Sequence, residues 1–261
     1  LEKLAVETLG KRIIMASAWG ATETAPMATA VHFPIERAGI IGLPAPGSEI
    51  KMVPEAGKFE LRVRGPNVTP GYWRRDDLTA MAFDEDGYYR IGDAGKFADD
   101  DDPAQGLIFD GRLTEDFKLM SGTWVHVGAL RIKAITAGAP VIQDAVVTAD
   151  GRENVGLLIF ADANGCRGLC PDAGPETAVA ALIARPEVHR VLCEGLNAYN
   201  AINPGNSSRI DRVLLMAEPP SIDAGEITDK GYINQRAVLE KRRHLVDELY
   251  AGDLPHIILL D

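Results

Sequence analysis

The stretch Phe109–Lys118, FDGRLTEDFK, divides the chain. Upstream of it, from about Gly39 to Asp110, short apolar runs are punctuated by Gly and Pro, which is the texture of β-structure. Downstream of it, apolar residues soon recur at helical spacing. Gly111 and Arg112 at such a junction pair a residue that absorbs backbone rotation with a long charged side chain that can hold a ligand in one state and release it in another. The alternative is a plain linker with a surface Arg. The reading adopted places the boundary here, with units of 1–111 and 112–261.

Working outward, EIKMV (49–53) and KFELRVRG (58–65) alternate apolar and charged residues around a Gly-containing turn, a hairpin pattern with one wet face. GYYRIGDAGKF (87–97) and GLIFDGR (106–112) read as two more strands, and FADDDDPAQG between them as a solvated acidic tip. Its four consecutive Asp residues do not have the alternate spacing of a helix–loop–helix calcium site. Residues 1–25 read as a helix end, a short buried strand Ile13–Ala16, and a loop. Beyond the junction, 113–135 reads as strand and turn, and QDAVVTAD (143–150) with NVGLLIFAD (154–162) as a β pair. PETAVAALIA (175–184) and PEVHRVLCEGLNAYNAI (186–202) read as helix broken at Pro186, the second with Val188, Val191, Leu192, Leu196 and Tyr199 on one face. RIDRVLLMA (209–217) is a further strand and NQRAVLEKRRHLVDELYA (234–251) a closing helix. The order suggests a small α+β domain. The apolar tail GDLPHIILLD (252–261) is expected to pack on its own domain, with a homodimer contact as the alternative.

With 27 basic and 38 acidic side chains the chain carries a formal charge of -11, which argues against a nucleic-acid or anionic-membrane partner. No apolar run approaches the roughly 20 residues needed to span a bilayer, and the N-terminus lacks a signal-peptide pattern. Cys166 and Cys170 with His189 could be drawn as a metal cluster, but reduced thiols of a cytoplasmic protein are the preferred reading. The chain opens on Leu1 and is expected to be cut from something longer.

Four stretches carry more chemistry than structure requires. In WGATE, Gly20 allows close backbone approach, Thr22 can donate to a phosphate oxygen, and Glu23 is a hard ligand suited to Mg²⁺; as plain structure, Thr22 is a helix cap. In RIGDAG, Asp93 follows a strand between glycines; an ionised carboxylate that accepts two hydrogen bonds suits a ribose diol, while its plain reading is a turn Asp. Arg112 is the third. In GEITDKGYINQR, Lys230 sits on a Gly-flanked loop from which a flexible ammonium can neutralise developing charge; its plain reading is a surface Lys.

In this order and spacing the four resemble the adenylate-forming superfamily: acyl-CoA synthetases, luciferases and peptide-synthetase adenylation domains. WGATETAP resembles its aromatic-Gly-x-Thr-Glu motif, and DGRLTEDFKLMSGTWVHVG its hinge and following Gly loop. GIIGLPAPGSEIKMV, ELRVRGPNVTPGYW and GYYRIGDAG resemble the motifs of its β-barrel. FKLMSGTWVHVGALR and GEITDKGYINQRAVLEKRR are most similar to feruloyl-CoA synthetases. The resemblance implies a mixed α/β and α+β fold: the end of the large domain with a distorted β-barrel, then a small mobile C-terminal domain. It implies ATP/AMP, Mg²⁺ and coenzyme A as cofactors and an aromatic carboxylate as substrate. It implies that Trp19, Gly20, Ala21 and Thr22 line the nucleotide, that Glu23 meets Mg²⁺, and that Asp93 and Arg112 meet the ribose. Gly122 would lie by the thiol path, and Lys230 would bridge the reacting oxygens.

Three positions depart from the pattern. Thr114 replaces an Asp or Lys at the hinge, GALR replaces an acidic end to the Gly loop, and Tyr232 stands where the terminal Lys is expected, so Lys230 is assigned that role. The Ser/Thr/Gly-rich phosphate loop would lie upstream of Trp19 and is absent here, so the chain is read as a C-terminal fragment that lacks its upstream large domain and is inactive alone. A non-catalytic nucleotide-binding module, or a ligase for benzoate or fatty acids, are the alternatives.

Overall fold

The computed structural model describes every residue except 1, 14, 15, 36–38, 56, 229, 230 and 252–256. The chain divides into two compact units, Leu1–Thr114 and Glu115–Asp261.

The first unit begins with helix α1 (Glu2–Leu9) and is otherwise β-rich. Its strands are β1 (Ala18–Trp19), β2 (Thr29–Ala30), β3 (Ile40–Pro44), β4 (Glu49–Glu55), β5 (Lys58–Arg64), β6 (Tyr89–Phe97) and β7 (Leu107–Arg112), with helix α2 (Asp76–Ala82) before β6. They form one sheet in the order β1-β2-β3-β7-β6-β5-β4. Among the described residues no ladder joins β4 to β1, so where a distorted barrel was expected the sheet is open. Among the described residues the first strand is β1; of the expected strand Ile13–Ala16, Ile13 is exposed, and 14 and 15 lie outside the described residues. The β4–β5 hairpin pairs in full register from Glu49↔Arg64 to Glu55↔Lys58. Its face is not wet as expected. Lys58, Glu60 and Arg62 are buried, because Arg62 bonds Glu60 and Asp84 and the Lys58 ammonium donates to the Asp110 carbonyl. The opposite face carries Leu61 and Val63 into a small apolar core with Trp19, Ile41 and Leu107. Asp99–Asp102 form the exposed tip between β6 and β7. The expected junction is not linker: Asp110, Gly111 and Arg112 end β7, with Arg112 opposite Asp93.

The second unit opens with a two-stranded ribbon, β8 (Phe117–Lys118) and β9 (Trp124–Val125). Helix α3 (Val127–Ala137) follows where strand and turn were expected; it buries Val127, Leu130 and Ala134 along one stripe. Strands β10 (Ile142–Thr148), β11 (Val155–Ala161), β12 (Ile210–Met216) and β13 (Ile257–Leu259) form a sheet in that order. β11 and β12 are parallel, and the crossover between them carries α4 (Ala163–Gly168), α5 (Val179–Ile183) and α6 (Pro186–Ile202). Pro186 starts α6 at a position where its missing N–H costs nothing, and Val188, Leu192, Leu196 and Tyr199 are buried from it. Cys166 and Cys170 are fully buried in the same apolar core, and burial pushes the Cys166 thiol up to about 11. The expected closing helix is two, α7 (Gln235–Lys241) and α8 (Arg243–Tyr250), broken at Arg242. The apolar tail supplies β13, antiparallel to β12, and Leu260 is buried. Among the described residues no helix is long and apolar enough to cross a membrane.

Candidate nucleotide site

β1 ends at Trp19 and the chain turns at once. The turn is narrow: a Cβ on Gly20 would meet the Pro26 carbonyl oxygen at 2.3 Å, so only glycine lets the loop close on itself. Thr22–Thr24 form a single 3-10 turn. Inside it the fully buried Thr24 hydroxyl donates to the Ala21 carbonyl and accepts the Ala21 N–H. Thr24, rather than Thr22, thus plays the capping part; Thr22 is exposed. The loop is pinned from outside by Asn67, whose amide donates to the Thr24 and Met27 carbonyls, and by the Thr69 N–H, which donates to the Glu23 carbonyl at 2.7 Å.

Two side-chain links join this loop to β6. The Trp19 indole N–H donates to Asp93 Oδ2 at 2.8 Å in a buried contact. The Tyr72 hydroxyl donates to Glu23 Oε1 at 2.9 Å and lies 3.3 Å from the Tyr89 hydroxyl. Tyr89 and Asp93 are both residues of β6. Burial first, and Tyr72 next, push the Tyr89 phenol upward. At Tyr72 the hydrogen bond with Tyr89 pulls the pKa down, but burial and the Glu23 carboxylate outweigh it. Both phenols therefore remain protonated donors around neutrality. Arg112 Nε stands 3.6 Å from Asp93 Oδ1 on the neighbouring strand, with most of its side chain in solvent.

Asp93 is the electrostatic centre of the group. Burial raises its pKa, and the Trp19 hydrogen bond and the Arg112 charge pull it back only in part. Among the described residues the one hydrogen bond to its carboxylate comes from the Trp19 indole, with Arg112 3.6 Å away. One cavity of the same unit, about 400 Å³ and lined by Phe33, Pro34, Ile35, Ile40, Ala98, Asp99 and Gln105, includes none of these residues. Among the described residues no group of three or more His, Cys, Asp or Glu could hold a metal by itself. Glu23 offers one hard carboxylate, which is what Mg²⁺ takes when nucleotide phosphates complete its shell.

The structure thus brings Trp19, Gly20, Ala21, Thr22, Glu23, Asp93 and Arg112 onto one sheet and its exit loop. Tyr72, Tyr89, Asn67 and Thr24 were not anticipated. The dipeptide Tyr88–Tyr89 before RIGD was the available signal, since a buried phenol needs a polar partner. Gly122 belongs to the second unit, in the turn between β8 and β9, where its φ of +83° is what calls for glycine. Lys230 lies outside the described residues.

Comparison with known proteins bears first on the fold. The structure is similar to the adenylation domain of carboxylic acid reductase from Segniliparus rugosus, solved with AMP and a co-purified carboxylic acid. The TM-score is 0.69 at 19% identity, over 96% of this chain and 37% of that one. It is also similar to ATP-bound MatB from Rhodopseudomonas palustris, with a TM-score of 0.62 at 20% identity over 94% of this chain and 43% of that one. The fold is thus that of adenylate-forming enzymes. More narrowly, residues 126–253 match the AMP-binding enzyme C-terminal domain family. The homologues are acyl-CoA and acyl-carrier-protein ligases and adenylation domains. The chloroplast long-chain-fatty-acid–[acyl-carrier-protein] ligase AEE15 of Arabidopsis thaliana is 25% identical over 92% of this chain and 33% of its own length. The long-chain-fatty-acid–CoA ligase FadD15 of Mycobacterium bovis is 28% identical over 92% of this chain and 39% of its own. The chain therefore spans between a third and two-fifths of these relatives.

Proposed function

We propose that the chain is the C-terminal part of an ATP-dependent carboxylic acid–CoA ligase acting on ferulate or related hydroxycinnamates. The observation that carries the reading is the buried Trp19–Asp93 hydrogen bond. It ties a Thr- and Glu-bearing strand exit to a buried carboxylate of raised pKa, in a chain whose second unit matches an AMP-binding C-terminal domain. Asp93 takes the two ribose hydroxyls with its remaining lone pairs. Arg112 stands beside it at the same ribose. Thr22 donates to phosphate, with Trp19, Gly20 and Ala21 along the nucleotide. Glu23, oriented by Tyr72, takes Mg²⁺. The bound magnesium nucleotide supplies an α-phosphate whose negative charge is already partly neutralised.

In the first half-reaction the acid's carboxylate oxygen bonds to the α-phosphorus and pyrophosphate leaves. Lys230 neutralises charge on the reacting oxygens, an effect worth several kcal/mol in a dry site. In the second, the thiol sulfur of coenzyme A bonds to the acyl carbon, its proton is released, and AMP leaves; Gly122 lies by the thiol path. The acid preference rests on the resemblance of Phe117–Arg131 and Gly225–Arg243 to feruloyl-CoA synthetases. The fatty-acid ligases among the relatives favour a second reading, a fatty-acid substrate.

Acid-dependent pyrophosphate exchange by the longer polypeptide that includes this chain separates them. Ferulate and coumarate are expected to support the fastest exchange. Preference for a long-chain acid establishes the second reading, and AMP binding without exchange on any acid establishes a non-catalytic module. Turnover by the 261-residue chain alone would contradict the fragment reading.

A further inference from the structure

A buried ion pair joins Glu226, in the segment between β12 and α7, to Arg242, the residue that ends α7. Glu226 and Arg242 are 2% and 8% exposed. The guanidinium directs each of its five N–H groups at an acceptor. Nε and Nη2 form a fork on the Glu226 carboxylate at 2.7 and 2.8 Å. Nη2 also donates to the Pro219 carbonyl at 2.8 Å, and Nη1 to the Glu218 carbonyl at 3.1 Å and the Met216 sulfur at 3.5 Å. The plane of charge lies over the Phe160 ring, 5.0 Å from its centroid. Only Arg has this donor set; Lys at 242 would leave carbonyls unmatched.

Glu226 is bonded in both directions along the chain. Its Oε2 accepts the Ser221 N–H at 2.7 Å and its own N–H donates to the Ser221 carbonyl at 2.9 Å, which fixes the outgoing limb. Its carbonyl accepts the Asn234 N–H at 2.8 Å, which fixes the returning limb. Between these points Ile227 pairs with Ile233, and the Thr228 N–H donates to the Tyr232 carbonyl at 2.8 Å. The returning limb has two further anchors. Asn234 caps α7 by accepting the Ala237 N–H, and the Gln235 side chain exchanges two hydrogen bonds with the Val147 backbone on the edge strand β10. The Arg242 hydrogen bond is also the leading cause that holds the Glu226 carboxyl below its ordinary range.

A buried ion pair is a poor way to add stability, since apolar residues of similar volume do as well or better. What this one adds is a fixed place for the paired limbs Ile227–Thr228 and Tyr232–Ile233. We infer that Glu226–Arg242 is a positioning pair for adenylation: it holds the paired limbs Glu226–Thr228 and Tyr232–Asn234, between which Lys230 falls in the sequence, at one place on the second unit. The inference rests on the reading of Lys230 given above. It predicts that loosening the pair impairs the half-reaction that uses this loop and spares the one that does not.

The local effect is read in the 261-residue chain by amide hydrogen exchange of wild type, Glu226→Gln and Arg242→Lys. The amides of Thr228, Gly231, Tyr232 and Asn234 are expected to exchange about tenfold faster in both variants, with the β11 and β12 amides unchanged. Unaltered exchange in these limbs would overturn the inference. So would equal acceleration throughout β11 and β12, since the pair would then be a general stabiliser. The functional effect is read in the longer polypeptide. Adenylation kcat is expected to fall about tenfold to a hundredfold with little change in KM, while thioester formation from supplied acyl-adenylate stays within about twofold. Lys230→Ala, run in parallel, separates the two claims. If it impairs adenylation while the pair variants do not, the positioning role is wrong and the Lys230 reading stands. If it leaves adenylation intact, the Lys230 reading is wrong and the positioning role fails with it.

Discussion

Asp84 and Asp93 are both buried carboxylates of the first unit, 7% and 9% exposed, and the protein treats them in opposite ways. Asp84 Oδ1 accepts the Asp86 and Tyr88 N–H groups, and Oδ2 accepts Lys51 and Arg62. Burial alone would raise its pKa, but the Tyr88 N–H and the two cations outweigh burial and hold it well below the carboxylate range. Asp93 has one indole N–H and an Arg at 3.6 Å, and burial wins. A carboxylate with every acceptor site filled is a structural part. One that is buried, raised and bonded to a single indole N–H keeps lone pairs with which a ligand's hydroxyls could bond, and perturbed groups of this kind are candidates for sites. The contrast marks the Lys51–Arg62–Asp84 cluster as structural, while the Trp19–Asp93–Arg112 group binds ligand only under the proposed reading.

The largest effect should come from the structural side. Asp84→Ala leaves Arg62 buried with Glu60 as its remaining acidic partner and removes a partner of Lys51, so urea unfolding should show a loss of about 3–5 kcal/mol. A loss near zero would dissolve the contrast. Next, Gly20→Ala drives a methyl group into the Pro26 carbonyl and displaces the loop that presents Trp19; a cost of about 1–3 kcal/mol is expected, with altered Trp fluorescence. Tyr72→Phe removes one hydrogen bond to Glu23 and should cost about 0.5–1.5 kcal/mol in stability. Under the proposed reading it should also weaken the magnesium dependence of ATP binding more than the binding of AMP.

The smallest effect is the most diagnostic. Because the folded-state pKa of Asp93 is raised, the folded protein takes up its proton first as pH falls. Its contribution to stability therefore grows as pH drops through the raised value and is complete below the ordinary carboxylate pKa. Asp84, with its depressed pKa, does the reverse: its contribution is present above the ordinary value and is lost as pH falls through the depressed one. Asp93→Asn should keep an acceptor for Trp19, shed a buried charge, and leave Tm unchanged or higher. Against it, the wild type should gain relative stability as pH is lowered from neutrality toward 4, as read by thermal melts across that range.

Strands β4 to β7 of the first unit were legible because Gly and Pro bracket them, whereas β1 and β2 were not, and α6 was legible to both limits because Pro186 starts it and one face is cleanly apolar. Helix α3 was not. Val127, Ile132, Ile135 and Thr136 favour strands, and Ile132 is exposed, so its apolar stripe is blurred. The break between α7 and α8 was hidden because it occurs at Arg242, whose reason for leaving the helix surface is a partner sixteen residues earlier. The candidate site was legible only as separate stretches. That Trp19 reaches Asp93 across 74 residues, and that Tyr72 orients Glu23, depends on strand order, which periodicity does not encode.

The central claim is that Glu23 and Asp93 serve one nucleotide. Calorimetric titration of the longer polypeptide with AMP and with MgATP, for wild type, Glu23→Gln and Asp93→Asn, tests it most directly. Asp93→Asn should weaken both ligands by about tenfold or more, whereas Glu23→Gln should weaken MgATP and leave AMP nearly unchanged. Wild-type affinity for AMP in Asp93→Asn, with its fold intact, would contradict the claim.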